Sequence, residues 1–304
     1  MSPSLHHDLL LDRRRLKRRL LAWRVAAVVL AGVAAFVAFQ GSLGQVPGRA
    51  HVARLRVEGT ITDDRRVAEA LDAAARNAGV RGLILSIDSP GGTVSGGEAL
   101  HAAVTRFRAS GKPVVAVMRG TAASAAYMAA MPAERVFARE STVTGSIGVL
   151  LQSFDASELL ARLGVRPETL TSGALKAQPS PFQPLTPEGR AALQGVVADL
   201  HAQFVAMVAA GRNMSVEQVQ PLADGRVYTG RQALALRLVD AIGAEPEARA
   251  WMAAEKQVPA ATPVRDLDPR DSSERFFGFA LRGLAKSVVS EWLAIDGIRA
   301  VWQP

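Results

Sequence analysis

The chain has 304 residues, 49% of them hydrophobic, which is enough for a substantial core in one large domain or two modest ones and excludes a disordered chain. Its formal net charge of +8 is unevenly placed: residues 1–24 hold seven cations and two acids, so the rest of the chain is only mildly basic and a nucleic-acid role has little support. Cysteine is absent, which excludes a disulfide framework, a thiolate nucleophile and a thiolate metal site.

Residues 1–19 read as a polar, basic head. Leu20 to Phe39 is apolar except for Arg24, and with Arg24 reaching to the interface the stretch is long enough for one membrane helix. The basic flank puts the head in the cytoplasm and the body on the far side. A cleaved signal peptide shares the charged-then-apolar order, but the 19-residue head and the lack of a clean small-x-small site before Gln40 favour an uncleaved anchor over 20–40. Residues 41–51 form a Gly/Pro linker, and the body is expected over 52–256.

Val52–Val57 alternates as a strand, and Asp63–Asn77 has helical spacing in Val67, Ala70, Leu71 and Ala74. Leu83–Ile87 is a short apolar run without alternation, as expected for a parallel strand covered on both faces. It is expected to stop at Asp88-Ser89-Pro90-Gly91-Gly92, where Pro90 removes a donor and two glycines permit close backbone approach. A helix from about Gly97 to Ala109 follows, then a second buried strand, Pro113–Met118, ending at Arg119-Gly120. Alanine-rich helix material begins at or near Ser124. This β-turn-α rhythm predicts a largely parallel sheet with helices outside.

Further on, Arg135–Ala138 and Val143–Leu151 read as strands and Ser157–Leu163 as a short helix. Thr171–Pro187, with four prolines and one glycine, reads as an irregular loop carrying Lys176. Glu188–Arg212 is a long amphipathic helix, with a strand and turn over Asp224–Gly230, a helix over Arg231–Leu236 and a strand-like Leu238–Gly243 after it. Residues 257–304 divide into a Pro- and charge-rich linker (258–273) and an amphipathic helix over 276–298.

Two chemistries compete for Ser124. A serine at a strand-to-helix junction sits where backbone amides and the helix dipole favour an oxyanion, as acyl transfer requires; the plainer alternative is a small residue in an alanine-packed helix start. A Ser-His-Asp triad is poorly supplied. His6, His7, His51, His101 and His201 all lie outside the turns of this stretch and read as core or surface residues. No His/Glu spacing of the zinc kind occurs, and Gly91–Gly97 lacks the Gly-Lys-Ser/Thr of a phosphate loop. The remaining base is lysine, of which there are five. A lysine base needs its pKa to fall from ~10.4 towards roughly 7 or 8, which desolvation achieves. Lys176, between Ala174-Leu175 and Ala177, has a setting that suits this without demanding it.

The ordered set Asp88-Ser-Pro-Gly-Gly92, Ala123-Ser124-Ala125-Ala126-Tyr127, Thr144-Gly-Ser146-Ile-Gly148, Ser172-Gly-Ala-Leu-Lys176 and Gly225-Arg-Val-Tyr-Thr-Gly230 resembles the bacterial signal peptide peptidases of the SppA type, in their short, single-repeat form with one N-terminal membrane helix. The resemblance covers residues 52 to about 250. It implies an α/β ClpP/crotonase-like spiral of ββα units and a serine-lysine peptidase without cofactor or metal. Ser124 matches the nucleophile, Lys176 the general base and Ser146 a serine that orients the lysine. Gly92 with the amide of Ala125 matches the oxyanion hole, Gly91 being the alternative to Gly92. Thr93 replaces a third glycine that some members carry, a change expected to leave the oxyanion hole intact and to narrow the groove. The resemblance further implies remnant signal peptides as substrates and a homo-oligomeric ring, an octamer in short forms, with each site shared between protomers. The catalytic domain would lie on the extracytoplasmic side of the bacterial inner membrane. Acyl-CoA hydratases and isomerases share the fold and the oxyanion hole but leave the membrane helix unexplained, and a catalytically idle membrane scaffold is the alternative of a different class.

Overall fold

Strand β1 (His51–Ile61), helix α1 (Arg65–Arg76), β2 (Val80–Gly92), α2 (Val94–Ala109), β3 (Val114–Ala123) and α3 (Ala125–Ala130) follow one another directly in the computed structural model. The structure describes residues 50–267 and 269, with positions 20, 23–25, 28 and 32 of the expected membrane segment, which are helical. The basic head, the rest of that segment, the linker to residue 49 and the helix expected over 276–298 lie outside the described residues.

Both β1–β2 and β2–β3 pair in parallel, so each return must cross over the sheet, and α1 and α2 make those crossings. Leu83, Ile84, Leu85 and Ile87 of β2 and Val114, Val115, Ala116 and Met118 of β3 are fully buried, which is why their sequence runs apolar without alternation. On one face of the sheet, Leu71 of α1, Val104 and Phe107 of α2 and Tyr127 of α3 form the main core. On the other, Ile84, Val115, Val117 and Phe137 pack against Ala248 and Met252 of a later helix, Glu245–Lys256, that the sequence reading did not foresee.

Strand β3 forks the sheet. Val115–Met118 pairs with β4 (Arg135–Ala138), whereas Thr121–Ala123 pairs with β5 (Val143–Gly145). After α4 (Ser157–Arg162) and the long α5 (Pro187–Arg212), short α6 (Val216–Val219) leads to β6 (Val227–Thr229), antiparallel to β5. The last elements are α7 (Gly230–Ala235), β7 (Ala241–Ile242) beside β4, α8 (Glu245–Lys256) and β8 (Val264–Leu267), which adds to β1 in parallel. The described residues thus form a mixed, mainly parallel α/β sheet.

Several expected boundaries move. β2 does not stop before Pro90 but continues to Gly92, because a bulge opposite Gly59 takes up one extra residue and lets Thr60 and Ile61 pair with Gly91 and Gly92. β3 likewise runs past Arg119-Gly120; the Asp88 carboxylate accepts the Thr121 N–H at 3.1 Å across the irregular step. The strand expected over Val143–Leu151 ends after three residues, where Gly145 and Ser146 both turn to positive φ. The linker expected from Val258 contains β8, held to β1 by Asp266, which accepts from Arg54 at 2.6 Å and Arg56 at 2.9 Å. The sheet therefore extends beyond the expected domain limit at 256.

Helix α5 is long and apolar enough to cross a membrane, yet Phe204, Val205 and Val208 of its second half are buried in the main core, so it is a helix of this domain. Thr186 caps it by accepting the Gly189 N–H at 3.0 Å, Pro187 begins it, and Asn213 ends it in the left-handed region.

Candidate active site

Ser124 is the single residue between β3 and α3, with φ 56° and ψ −123°. A non-glycine residue held there costs about 1–3 kcal/mol and persists only where its surroundings over-determine it. Here they do. The Ser124 N–H donates to the Gly145 carbonyl at 2.9 Å, and its own carbonyl accepts from Met128 at 3.0 Å. All six residues of α3 are buried, and the Tyr127 hydroxyl donates to the Leu238 carbonyl at 2.7 Å. That carbonyl lies near a second anchor, Arg212, which binds Asp240 at 2.6 and 2.9 Å and the Arg237 carbonyl at 2.8 Å. Burial by itself would push the Asp240 carboxyl up, but the hydrogen bonds and charge of Arg212 outweigh it and hold the group below the usual carboxylate range.

With its backbone so fixed, Ser124 makes no side-chain capping bond and faces a cleft of about 750 Å³. Pro90, Gly92 and Thr93, Ser146 and Gly148, and Val197 and His201 of α5 line it with Ser124. The two glycines are required for different reasons. Gly91 has φ 112°, and a methyl on it would come 2.8 Å from Ser124 Cβ and 3.2 Å from the Ala125 nitrogen. Gly92 lies so close to β1 that a methyl would fall 1.9 Å from the Ile61 oxygen.

Their amides also differ. Gly91 donates its N–H to Ser89 Oγ at 3.1 Å, while Ser89 Oγ donates to the Gly59 carbonyl at 2.6 Å, so this serine braces the turn against β1. Thr93 donates its N–H to Ile61 at 2.9 Å, and by the alternation of a parallel ladder Gly92 then turns its N–H away from β1. The Ala125 N–H belongs to the first turn of α3, where no intrahelical acceptor exists. Gly92 and Ala125 are thus the better-placed amides, and Gly91 is already engaged. Thr93 caps α2 by accepting the Gly96 N–H at 3.0 Å.

Ser146 shares the cleft with Ser124. It has φ 48° and donates its N–H to the Arg226 carbonyl at 2.8 Å, immediately after the Gly145 whose carbonyl holds Ser124. Lys176 stands apart: it is exposed, lies in the irregular segment before α5, and is not among the residues lining this cleft in the single chain. Two residues later the Gln178 side chain packs where a methyl on Gly189 would lie 2.9 Å away, seating the segment against the start of α5. The structure therefore brings Ser124, Ser146, Gly92 and Ala125 together and leaves Lys176 outside.

Other basic residues have structural roles. Lys112 Nζ donates to the carbonyls of Ala74, Ala75 and Asn77 at 2.7–3.1 Å, closing the C-terminus of α1, and burial, aided by nearby Arg81, pushes its amine down. Lys256 pairs with Glu134 and lies 5.6 Å from the Trp251 ring centre. His101 is half-buried on α2, and burial pushes its imidazole down against the opposing charge of Glu98. Among the described residues no group of three or more His, Asp or Glu is arranged to hold a metal ion.

His201 is mid-helix and half-buried, as the sequence suggests, but it also borders the candidate site. It lines the Ser124 cleft and donates from Nε2 to the Ala223 carbonyl at 2.7 Å. The signal was present in the spacing: Gln194, Val197, Ala198 and His201 fall on one face of α5, and all four line the cleft.

Comparison with known proteins adds to this geometry. Residues 106–259 match the model of the family described as peptidase family S49. A Synechocystis protein named as a protease is 39% identical over 207 residues, which cover 67% of this chain and 74% of that one. An Enterococcus faecium protein named as signal peptide peptidase SppA is 37% identical over 221 residues, covering 73% and 61%. Protease 4 of Salmonella typhi is 36% identical over 164 residues, 54% of this chain but 26% of its own length.

Proposed function

Because this chain belongs to peptidase family S49, and is accordingly a serine peptidase, we propose that it cleaves peptide bonds through an acyl-enzyme on Ser124 with Lys176 as general base. The observation that carries the assignment is the strained backbone of Ser124, held by Gly145 and α3 so that its hydroxyl stands uncapped in the cleft beside Gly92 and Ala125. Strain of this kind is kept where a nucleophile must project from a strand-to-helix turn.

In the reaction, Lys176 takes the Ser124 proton and the alkoxide attacks the scissile carbonyl. The Gly92 and Ala125 N–H groups receive the oxyanion, and the lysine returns the proton to the leaving amine. Water then attacks the ester and frees the second product, with Ser146 orienting the lysine throughout. The exposure of Lys176 in the single chain, together with exposed Leu150, Phe154, Leu163 and Leu170 before it, supports a ring in which a neighbouring protomer covers this arm and each site is completed across the interface. Within this reading the sheet is the ClpP/crotonase-like spiral, the 20–40 segment anchors the chain in the inner membrane, and remnant signal peptides are the substrates.

A serine-directed fluorophosphonate probe tests the assignment. It is expected to label the full-length protein and not Ser124→Ala, in which peptide hydrolysis is also lost. Retained turnover in the purified variant refutes the reading.

A further inference from the structure

A chain of backbone contacts connects the 223–226 turn, part of which lines the cleft, to the nucleophile. The Ser124 N–H is held by the Gly145 carbonyl at 2.9 Å. The next residue, Ser146, donates its N–H to Arg226 at 2.8 Å, and the Ile147 carbonyl accepts from Gly225 at 3.1 Å. Between them the segments are in close contact: a methyl on Gly148 would lie 3.1 Å from Gly225 Cα, and Gly145 is paired with Val227 in the β5–β6 ladder. The 223–226 turn is thus the support on which Gly145 and Ser146, both at positive φ, keep their conformation.

That turn is itself tied to α5 by a side chain. Ala223 is buried, and its carbonyl accepts from His201 Nε2 at 2.7 Å. A carbonyl can only accept, so Nε2 is the donor of this bond. His201 is also the last of the four α5 residues that face the cleft. Its ring therefore joins the substrate-facing helix to the turn that supports the Ser146 and Ser124 backbone.

We propose that His201 is a positioning residue for the hydrolysis: through the Ala223 carbonyl it fixes the 223–226 turn, and through that turn the Gly145 and Ser146 backbone that sets the attack geometry of Ser124. It exchanges no proton with substrate. The inference rests on the assignment of Ser124 as nucleophile.

The test compares His201→Leu, which removes the donor, with His201→Gln, which retains an N–H donor, in the full-length protein. Hydrolysis of a fluorogenic peptide gives kcat and KM separately, the rate of fluorophosphonate modification reports the reactivity of Ser124, and thermal melting reports folding. Displacement of a reacting group by about 1 Å costs up to ~10²-fold in rate, so His201→Leu is expected to lower kcat and the modification rate by about 10- to 100-fold with KM within about threefold. His201→Gln is expected to recover most of that loss. The proposal is overturned by wild-type kcat in His201→Leu, by equal losses in both variants, or by a loss confined to KM, which would make His201 a substrate contact. Loss of labelling in Ser124→Ala is read in parallel: if labelling persists there, the nucleophile assignment fails, whereas if labelling is lost and the His201 series does not behave as stated, this inference alone fails.

Discussion

Replacing Gly91 by alanine tests whether the glycine turn and the nucleophile form one rigid unit. Two costs follow from the geometry. At φ 112° an L-residue is strained by about 1–3 kcal/mol. The new methyl would also come 2.8 Å from Ser124 Cβ and 2.9 Å from the Ala123 carbonyl oxygen, atoms fixed by the β3–α3 junction, and overpacking of this kind costs about 1–3 kcal/mol. At about 2–4 °C per kcal/mol for a domain of this size, the melting temperature should fall by about 5 °C or more. The larger effect is on chemistry. Relief of the clash moves Ser124 or the Ala125 amide, and loss of one oxyanion donor lowers kcat by about 10²–10³. Gly195→Ala is the control: it lies in α5 with no atom within 4 Å of the added methyl, and it should gain about 0.5–1 kcal/mol with activity retained. Peptide hydrolysis and thermal melting of the full-length protein measure both effects. A Gly91→Ala enzyme with wild-type kcat would refute the placement of Gly91 against the nucleophile.

Lys176→Arg should be inactive with unchanged melting, because a guanidinium keeps its proton; normal peptide turnover removes Lys176 from the mechanism. Arg212→Leu leaves the half-buried Asp240 without its guanidinium, and denaturant titration should show a loss of about 3–5 kcal/mol. The same pair predicts an acid limit. The Asp240 carboxyl is held low in the folded state, so its contribution is full above the unfolded carboxylate pKa of about 3.9 and is lost as pH falls through the lower folded value. Asp240→Asn should therefore flatten the decline of melting temperature below about pH 4, and an unchanged slope would remove Asp240 as its source.

What could be read from sequence divides along the range of the forces involved. The runs at Leu83–Ile87 and Val114–Met118 were legible as buried parallel strands because both faces are covered, and Ser124 was legible as a junction residue because glycine and alanine surround it. Their boundaries were not, since Pro90 marks a break only until the bulge at Gly59 is known, and that depends on β1. Gly91 and Gly92 are indistinguishable as letters. Their amides are distinguished by Ser89 and by Ile61 of the neighbouring strand β1. β8 was hidden because Arg265 and Asp266 give Val264–Leu267 the look of a linker, whereas Asp266 is paired with two arginines of β1. The spacing of His201 from Gln194 and Val197 marks a shared face of α5, but that this face borders the Ser124 cleft depends on contacts distant in sequence.

The position of Lys176 leads to a prediction that needs no further structure. In a single chain its amine is exposed and outside the cleft, so a site using it must be completed by movement of its own arm or by a neighbour's. The two possibilities separate cleanly when Ser124→Ala and Lys176→Arg chains, each inactive alone, are co-expressed with distinct tags and purified together. If serine and lysine come from one chain, every site in the mixture lacks one of them and activity stays at background. If they come from adjacent chains, an equal mixture pairs an intact serine with an intact neighbouring lysine at about a quarter of sites. Recovery to about that fraction of wild-type turnover, absent when the two variants are kept in separate preparations, is the expected result. Background activity in verified mixed assemblies eliminates sharing, and the exposed arm before α5 would then have to fold back onto its own Ser124 cleft.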